Sequence, residues 1–146
     1  MKLLNASRVL AVLSLLDLTG VSVASDSASR RLSFEDRVRA QEAIERVYYS
    51  HQTAAVLPFQ QAVPRALLEK KVRTTLAQSQ ALERVWGRPI TASDLRAEAE
   101  RMARDTRMPE RLRELYAALG DDPVLILECL VRPALADRLV RSRFAT

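Results

Sequence analysis

Trp86-Gly87-Arg88-Pro89-Ile90-Thr91-Ala92-Ser93-Asp94-Leu95 reads as a helix end followed at once by a helix start. Gly87 suits the left-handed position just past a helix, and Pro89, with its fixed φ and missing N–H, stops the preceding helix from running on. Thr91, with Asp94 three residues later, is a carboxylate variant of the capping box. Upstream, Leu68, Val72, Leu76, Leu82 and Trp86 fall on one face at helical spacing, with Lys70, Arg73, Gln80 and Arg84 opposite. That pattern predicts a long helix opened by Pro64 at its first position and ending near Trp86. Downstream, Leu95, Ala99 and Met102 form a narrower stripe on a helix that ends near Arg104.

The same punctuation recurs along the chain. Ser33 with Asp36 opens a helix to about Tyr49, whose apolar face is Phe34, Val38, Ile44 and Tyr48. The stretch from Ser50 to Val63, which contains Pro58, reads as a loop. Pro109 starts a helix carrying Met108, Leu112, Leu115, Tyr116 and Leu119 on one side, and Gly120 stops it. Asp122-Pro123 pairs an N-cap with a first-turn proline. The run Val124 to Val131 is apolar nearly all round except at Glu128, so it must be enclosed by its neighbours. Pro133 introduces a last helix with Leu135 and Leu139 on its apolar side and Arg138, Arg141 and Arg143 elsewhere. With only three glycines in 146 residues there are too few tight-turn signals for an antiparallel sheet protein. The expected architecture is all-α, a compact array of about six helices over residues 33–146, with the Leu67–Trp86 helix as its central strut.

Composition removes much ordinary chemistry. The 48% hydrophobic content is too high for a disordered chain. One cysteine, Cys129, excludes an intramolecular disulfide framework and a cysteine-clustered zinc site, and one histidine, His51, leaves no His–His metal pair. No metal site and no cofactor is expected. His51 beside Tyr48 and Tyr49 lacks a nucleophile and reads as a solvated loop residue. Glu98 and Glu100, two positions apart on a helix, cannot face each other. Glu110 and Glu114 can meet, but Arg111 and Arg113 beside them suggest surface ion pairs.

The net charge is +5 and the pI about 10.0, which raises the question of an anionic partner. The acids are nevertheless interleaved with the bases, as in Glu110-Arg111 and Arg113-Glu114, which describes a mixed-charge helix surface. The helices flanking Gly87–Ile90 imitate a helix-turn-helix. The first is too long, however, and the second sets Glu98 and Glu100 beside its bases, which repels phosphates. Nucleic acid is not an expected partner.

The N-terminus reads as an address. Lys2 and Arg8 precede the apolar run Val9 to Leu16, and Ser22-Val23-Ala24 supplies the small residues of a cleavage site after Ala24. Residues 1–24 are thus read as a secretory signal, interrupted by Asp17, and residues 25–32 as a polar linker. The greasy stretch is shorter than the roughly 20 apolar residues a spanning helix needs, so no stable membrane span is expected. An exported or periplasmic location follows, and there an unpaired Cys129 would be a buried thiol.

From Leu67 to about Arg141 the order of capped helices, and the motif Ile90, Thr91, Ser93, Asp94, Leu95, Ala97, Glu98 and Ala99 within it, carry a likeness. This part of the chain resembles the N-terminal helical module of SurA-like periplasmic chaperones and their relatives among parvulin-type peptidyl-prolyl isomerases. The polar Ser25–Arg31 stretch and the helix from Phe34 stand where that family has a short apolar hairpin segment. The resemblance implies a groove between helices that holds extended, apolar-rich segments of unfolded or exported polypeptide. Methionine and aromatic side chains are adaptable liners of such surfaces, so Trp86, Met102, Met108 and Tyr116 are the candidate contacts, with core packing as the competing role of each. In the family a parvulin domain with the isomerase site follows the helical module. The chain is therefore expected to be either a module without catalysis or the front part of a longer frame. A helical interaction or assembly domain without chaperone activity is the alternative expectation.

Overall fold

The computed structural model describes residues 31–53 and 56–145. Residues 1–24, read above as a secretory signal, and most of the stretch read as a linker lie outside them. Every regular element among the described residues is helical: α1 Phe34–Ser50, α2 Phe59–Ala62, α3 Arg65–Arg84, α4 Ala92–Asp105, α5 Pro109–Ala118, α6 Pro123–Leu125, a π-helical segment Ile126–Val131 and α7 Arg132–Phe144. None of these helices is long and apolar enough to cross a membrane.

The caps form as their residues dictate. The Asp36 N–H donates to Ser33 Oγ at 3.1 Å, and the Ser33 N–H donates to Asp36 Oδ2 at 2.9 Å. Thr91 and Asp94 repeat the exchange at 3.2 and 2.9 Å. Asp122 Oδ1 accepts from the N–H groups of Val124 and Leu125. Each exchange satisfies donors that a helix start leaves without an intrahelical acceptor. Gly87 stands at φ 61° and Gly120 at φ 67°, the left-handed conformation that only a residue without Cβ adopts freely. After α5 the Gly120 N–H reaches the Ala117 carbonyl and the Asp121 N–H the Tyr116 carbonyl, both at 2.9 Å, which is the paired bond of a Schellman stop.

The structure corrects the sequence reading in four places. Pro64 is the N-cap of α3, not its first helical residue, because ψ of 152° leaves it extended. The stretch before it is not all loop. Phe59 begins α2 and packs edge-to-face on Tyr49 with ring centroids 5.5 Å apart, while the Arg46 guanidinium lies 4.2 Å from the Phe59 centroid. The Tyr49 hydroxyl donates to the Leu57 carbonyl and ties this segment to the end of α1.

The two C-terminal helices expected on either side of Pro133 run together. Through Ile126–Val131 the turns widen, and the Arg132 N–H bonds to the Leu127 carbonyl, five residues back. A proline inside an α-helix lacks a donor and its ring crowds the carbonyl four residues earlier. A wide turn just ahead of Pro133 absorbs both defects without ending the helix. It also turns three successive residues, Cys129, Leu130 and Val131, into the interior. The enclosure expected of the apolar run is met at residues 129–131, while residues 124–128 are half-buried.

That enclosed segment, with α7, is the central element, in place of the α3 strut. The π-helical segment packs on α1 and α4, and α7 packs on α3 and α4. Helix α3 buries only Leu68, Val72 and Leu82, and leaves Leu67 and Leu76 exposed. The core falls into three clusters. Ala40 and Ile44 meet Leu115, Leu119, Cys129 and Leu130 in one, and Val38 meets Leu68 and Val72 in the second. In the third, Leu95 meets Val131 and Leu135. Two of the three depend on the C-terminal element.

Candidate functional site

Helix α4 ends at Asp105 and α5 begins at Pro109, so the chain turns within Thr106-Arg107-Met108. The Thr106 N–H closes α4 on the Met102 carbonyl, and the Thr106 hydroxyl oxygen accepts from the Met108 N–H, both at 3.1 Å. Past this turn the helices pack on different neighbours, α4 on the π-helical segment and α5 on α1. A recess of about 430 Å³ opens at the turn. Its apolar lining includes Met102, Met108, Leu112 and Leu115, with Tyr48 contributed by α1. Arg101, Asp105, Arg107 and Arg111 supply the charge around it.

Of the four residues singled out from sequence, the structure brings together Met102 and Met108. Met108 is 56% exposed at the turn, while Met102 is half-buried and also packs against the core. Trp86 lies elsewhere, edge-to-face with Phe144 at 6.1 Å between centroids, joining the end of α3 to the end of α7. Tyr116 packs half-buried against the cluster of Ala40, Ile44 and Leu119 and does not line the recess. Tyr48, Arg101, Arg107, Arg111 and Leu112 were not singled out. The signal that could have found them is the short α4–α5 connection, which places the end of one helix beside the start of the next.

A buried carboxylate holds Arg101, one of the residues that line this recess. Glu98, read from sequence as an acid beside the bases of this helix, is 2% exposed. Arg101 grips it in a fork, Nε to Oε2 at 3.0 Å and Nη2 to Oε1 at 2.6 Å, and Arg138 of α7 reaches Oε2 at 2.6 Å. The Arg101 hydrogen bonds, against the opposing pull of burial and with help from Arg138, hold the Glu98 carboxyl at about 2. A second such group ties α1 to the π-helical segment. Glu128 receives Arg132 at 2.8 Å and Arg37 at 3.1 Å. Burial pushes its carboxyl up, but the two arginines outweigh that and leave it below the usual range.

The remaining titratable candidates have local roles. The His51 ring meets Glu114 of α5 across the fold, so it is a tie between α1 and α5 and not merely a solvated side chain. Burial pushes the Cys129 thiol up to about 11, which disfavours the thiolate a nucleophile needs. Burial and the nearby Glu45 raise the Tyr48 hydroxyl, partly offset by Arg111. No grouping of three or more side chains able to hold a metal ion occurs among the described residues. Neither a family model nor a curated protein nor a solved structure matches the chain.

Proposed function

We propose that this protein is an exported, chaperone-like module that binds unfolded or extended polypeptide through the recess between α4 and α5. The observation that carries the reading is the juxtaposition of Met102, Met108 and Leu112 around an open space with arginines beside it. Thioether side chains repack around differently shaped apolar residues, so such a surface favours breadth over a single fitted partner. The leader-like residues 1–24 and the resemblance of residues 67–141 to the SurA-type helical module support the same reading. Affinity would come from burying apolar surface at roughly 25 cal/mol per Å², less the cost of ordering the bound chain.

The test is a light-scattering assay. The purified protein, at a several-fold molar excess and without ATP, is expected to suppress aggregation of a chemically unfolded outer-membrane protein on dilution. Unchanged scattering overturns the proposal. A competing reading, an assembly domain for one partner chain, draws on the exposure of Val85 (72%) and Phe144 (78%) at the Trp86 end of the molecule. It predicts one partner at fixed stoichiometry, where the chaperone reading predicts weak binding to many unrelated unfolded peptides.

A further inference from the structure

We infer that the α4–α5 recess selects polypeptide segments in which an apolar side chain is followed closely by a carboxylate. The inference rests on the polypeptide-binding reading above and adds the chemistry of what is preferred.

It comes from asking which arginines already have partners. Arg37 and Arg132 are tied to Glu128, Arg46 to Glu42, Arg113 to Glu110 and Arg141 to Asp137. Arg84 and Arg96 make no ion pair among the described residues either, but neither borders the recess, where free guanidinium donors meet an apolar lining. Arg101 is committed to Glu98, but Arg107 makes no ion pair or side-chain hydrogen bond among the described residues. Arg111 meets Glu114 at 3.4 Å without a hydrogen bond, and its buried Nε has no acceptor. Glu114 in turn is shared with His51, and the acid on the recess wall, Asp105, is already held by Arg104 at 3.0 Å.

Arg107 thus stands beside a thioether-lined recess with its donors unused, and Arg111 adds positive charge to the same wall. A guanidinium presents a planar fork that a carboxylate fills with two parallel hydrogen bonds. An apolar side chain seated on Met102, Met108 and Leu112 brings a neighbouring Asp or Glu within reach of that fork. A lysine or arginine in the same place meets like charge, which penalises basic segments. Selection therefore works by attraction on one side and repulsion on the other, while the apolar seat accepts any greasy residue.

The test measures fluorescence anisotropy of the full chain with three labelled heptapeptides that alternate leucine with aspartate, serine or lysine. At low ionic strength the aspartate peptide is expected to bind about tenfold tighter than the lysine peptide, with the difference collapsing in about 0.5 M salt as charges are screened. Arg107→Glu is expected to abolish the preference. Arg96→Glu, an equal charge change at an exposed α4 position outside the recess, is expected to keep it. Met108→Ser is expected to weaken all three peptides. Equal binding of the three, loss of preference in both charge variants, or indifference to Met108→Ser overturns the inference and leaves polypeptide binding standing. Failure of all three peptides to bind overturns both.

Discussion

Glu98 and Arg138 are forty residues apart in the chain, and their side chains meet at 2.6 Å with the carboxylate almost wholly out of water. The contact joins α4 to α7, and Arg101 completes it from one turn along α4. An arginine on each side makes the buried charge tolerable. Without them, burial of a lone carboxylate would cost several kcal/mol.

Truncating the acid leaves Arg138 without its partner and Arg101 with only Asp105, at 3.8 Å. Glu98→Ala is expected to lower unfolding stability by about 3 kcal/mol, the low end for breaking a buried pair because both arginines keep contact with water. Arg138→Ala in the Glu98→Ala background is expected to cost far less than Arg138→Ala alone. Urea unfolding of the four proteins in a double-mutant cycle measures the coupling.

Acid should act on the same group. The folded Glu98 carboxyl sits at about 2 against a usual 4.5, so the unfolded chain takes up its proton first as pH falls. The stability this contributes is complete above about pH 4.5 and is lost progressively down to about pH 2. Glu128 and Asp94 are shifted in the same direction, the latter chiefly by the Thr91 N–H and hydroxyl. The urea midpoint is expected to hold from pH 7 to about 5 and then fall, and Glu98→Gln is expected to flatten that fall.

The thiol of Cys129 reports on opening of the core. It is buried against α1 and α5, with its proton held to about 11. Labelling by a thiol reagent at pH 8 is expected to be slow in the native protein and immediate in urea. The native labelling rate is expected to track the unfolding equilibrium as urea is raised. Fast labelling in the absence of denaturant contradicts the packing described.

The boundary between α3 and α4 offers two independent stability measurements. Thr91→Ala removes the acceptor for the Asp94 N–H and is expected to cost about 1 kcal/mol. Gly87→Ala meets no neighbouring atom within 4 Å, so only its left-handed backbone is penalised, by about 1–2 kcal/mol. Shifts in thermal midpoint read both. A neutral Gly87→Ala would mean that the turn relaxes to another conformation.

What was legible in the chain was local. Ser33 with Asp36, Thr91 with Asp94, Gly87, Gly120 and Asp122-Pro123 mark boundaries through bonds made within a few residues, and all of them form as read. Helical periodicity found Val38, Ile44, Leu68, Val72 and Leu95 in the core for the same reason. The misses needed partners distant in sequence. Nothing near Glu98 announces Arg138, nothing near Pro58 announces the Tyr49 ring that steadies α2, and Pro133 reads as a stop until a widened turn is placed before it. Two residues of the recess, Met102 and Met108, were found because thioether side chains suit adaptable apolar surfaces. Tyr48 arrives from another helix, and no spacing rule reaches it.

The C-terminal helix also sets a timetable. Leu130 joins α1 and α5, Val131 and Leu135 cover α4, and α7 supports α3, so these four helices complete their packing on the C-terminal element. A chain cut before Pro123 keeps only the cluster of Val38, Leu68 and Val72 whole. Two of the three core clusters stay incomplete until the stretch from Pro123 is present, so the order of synthesis leaves the closing contacts to the end.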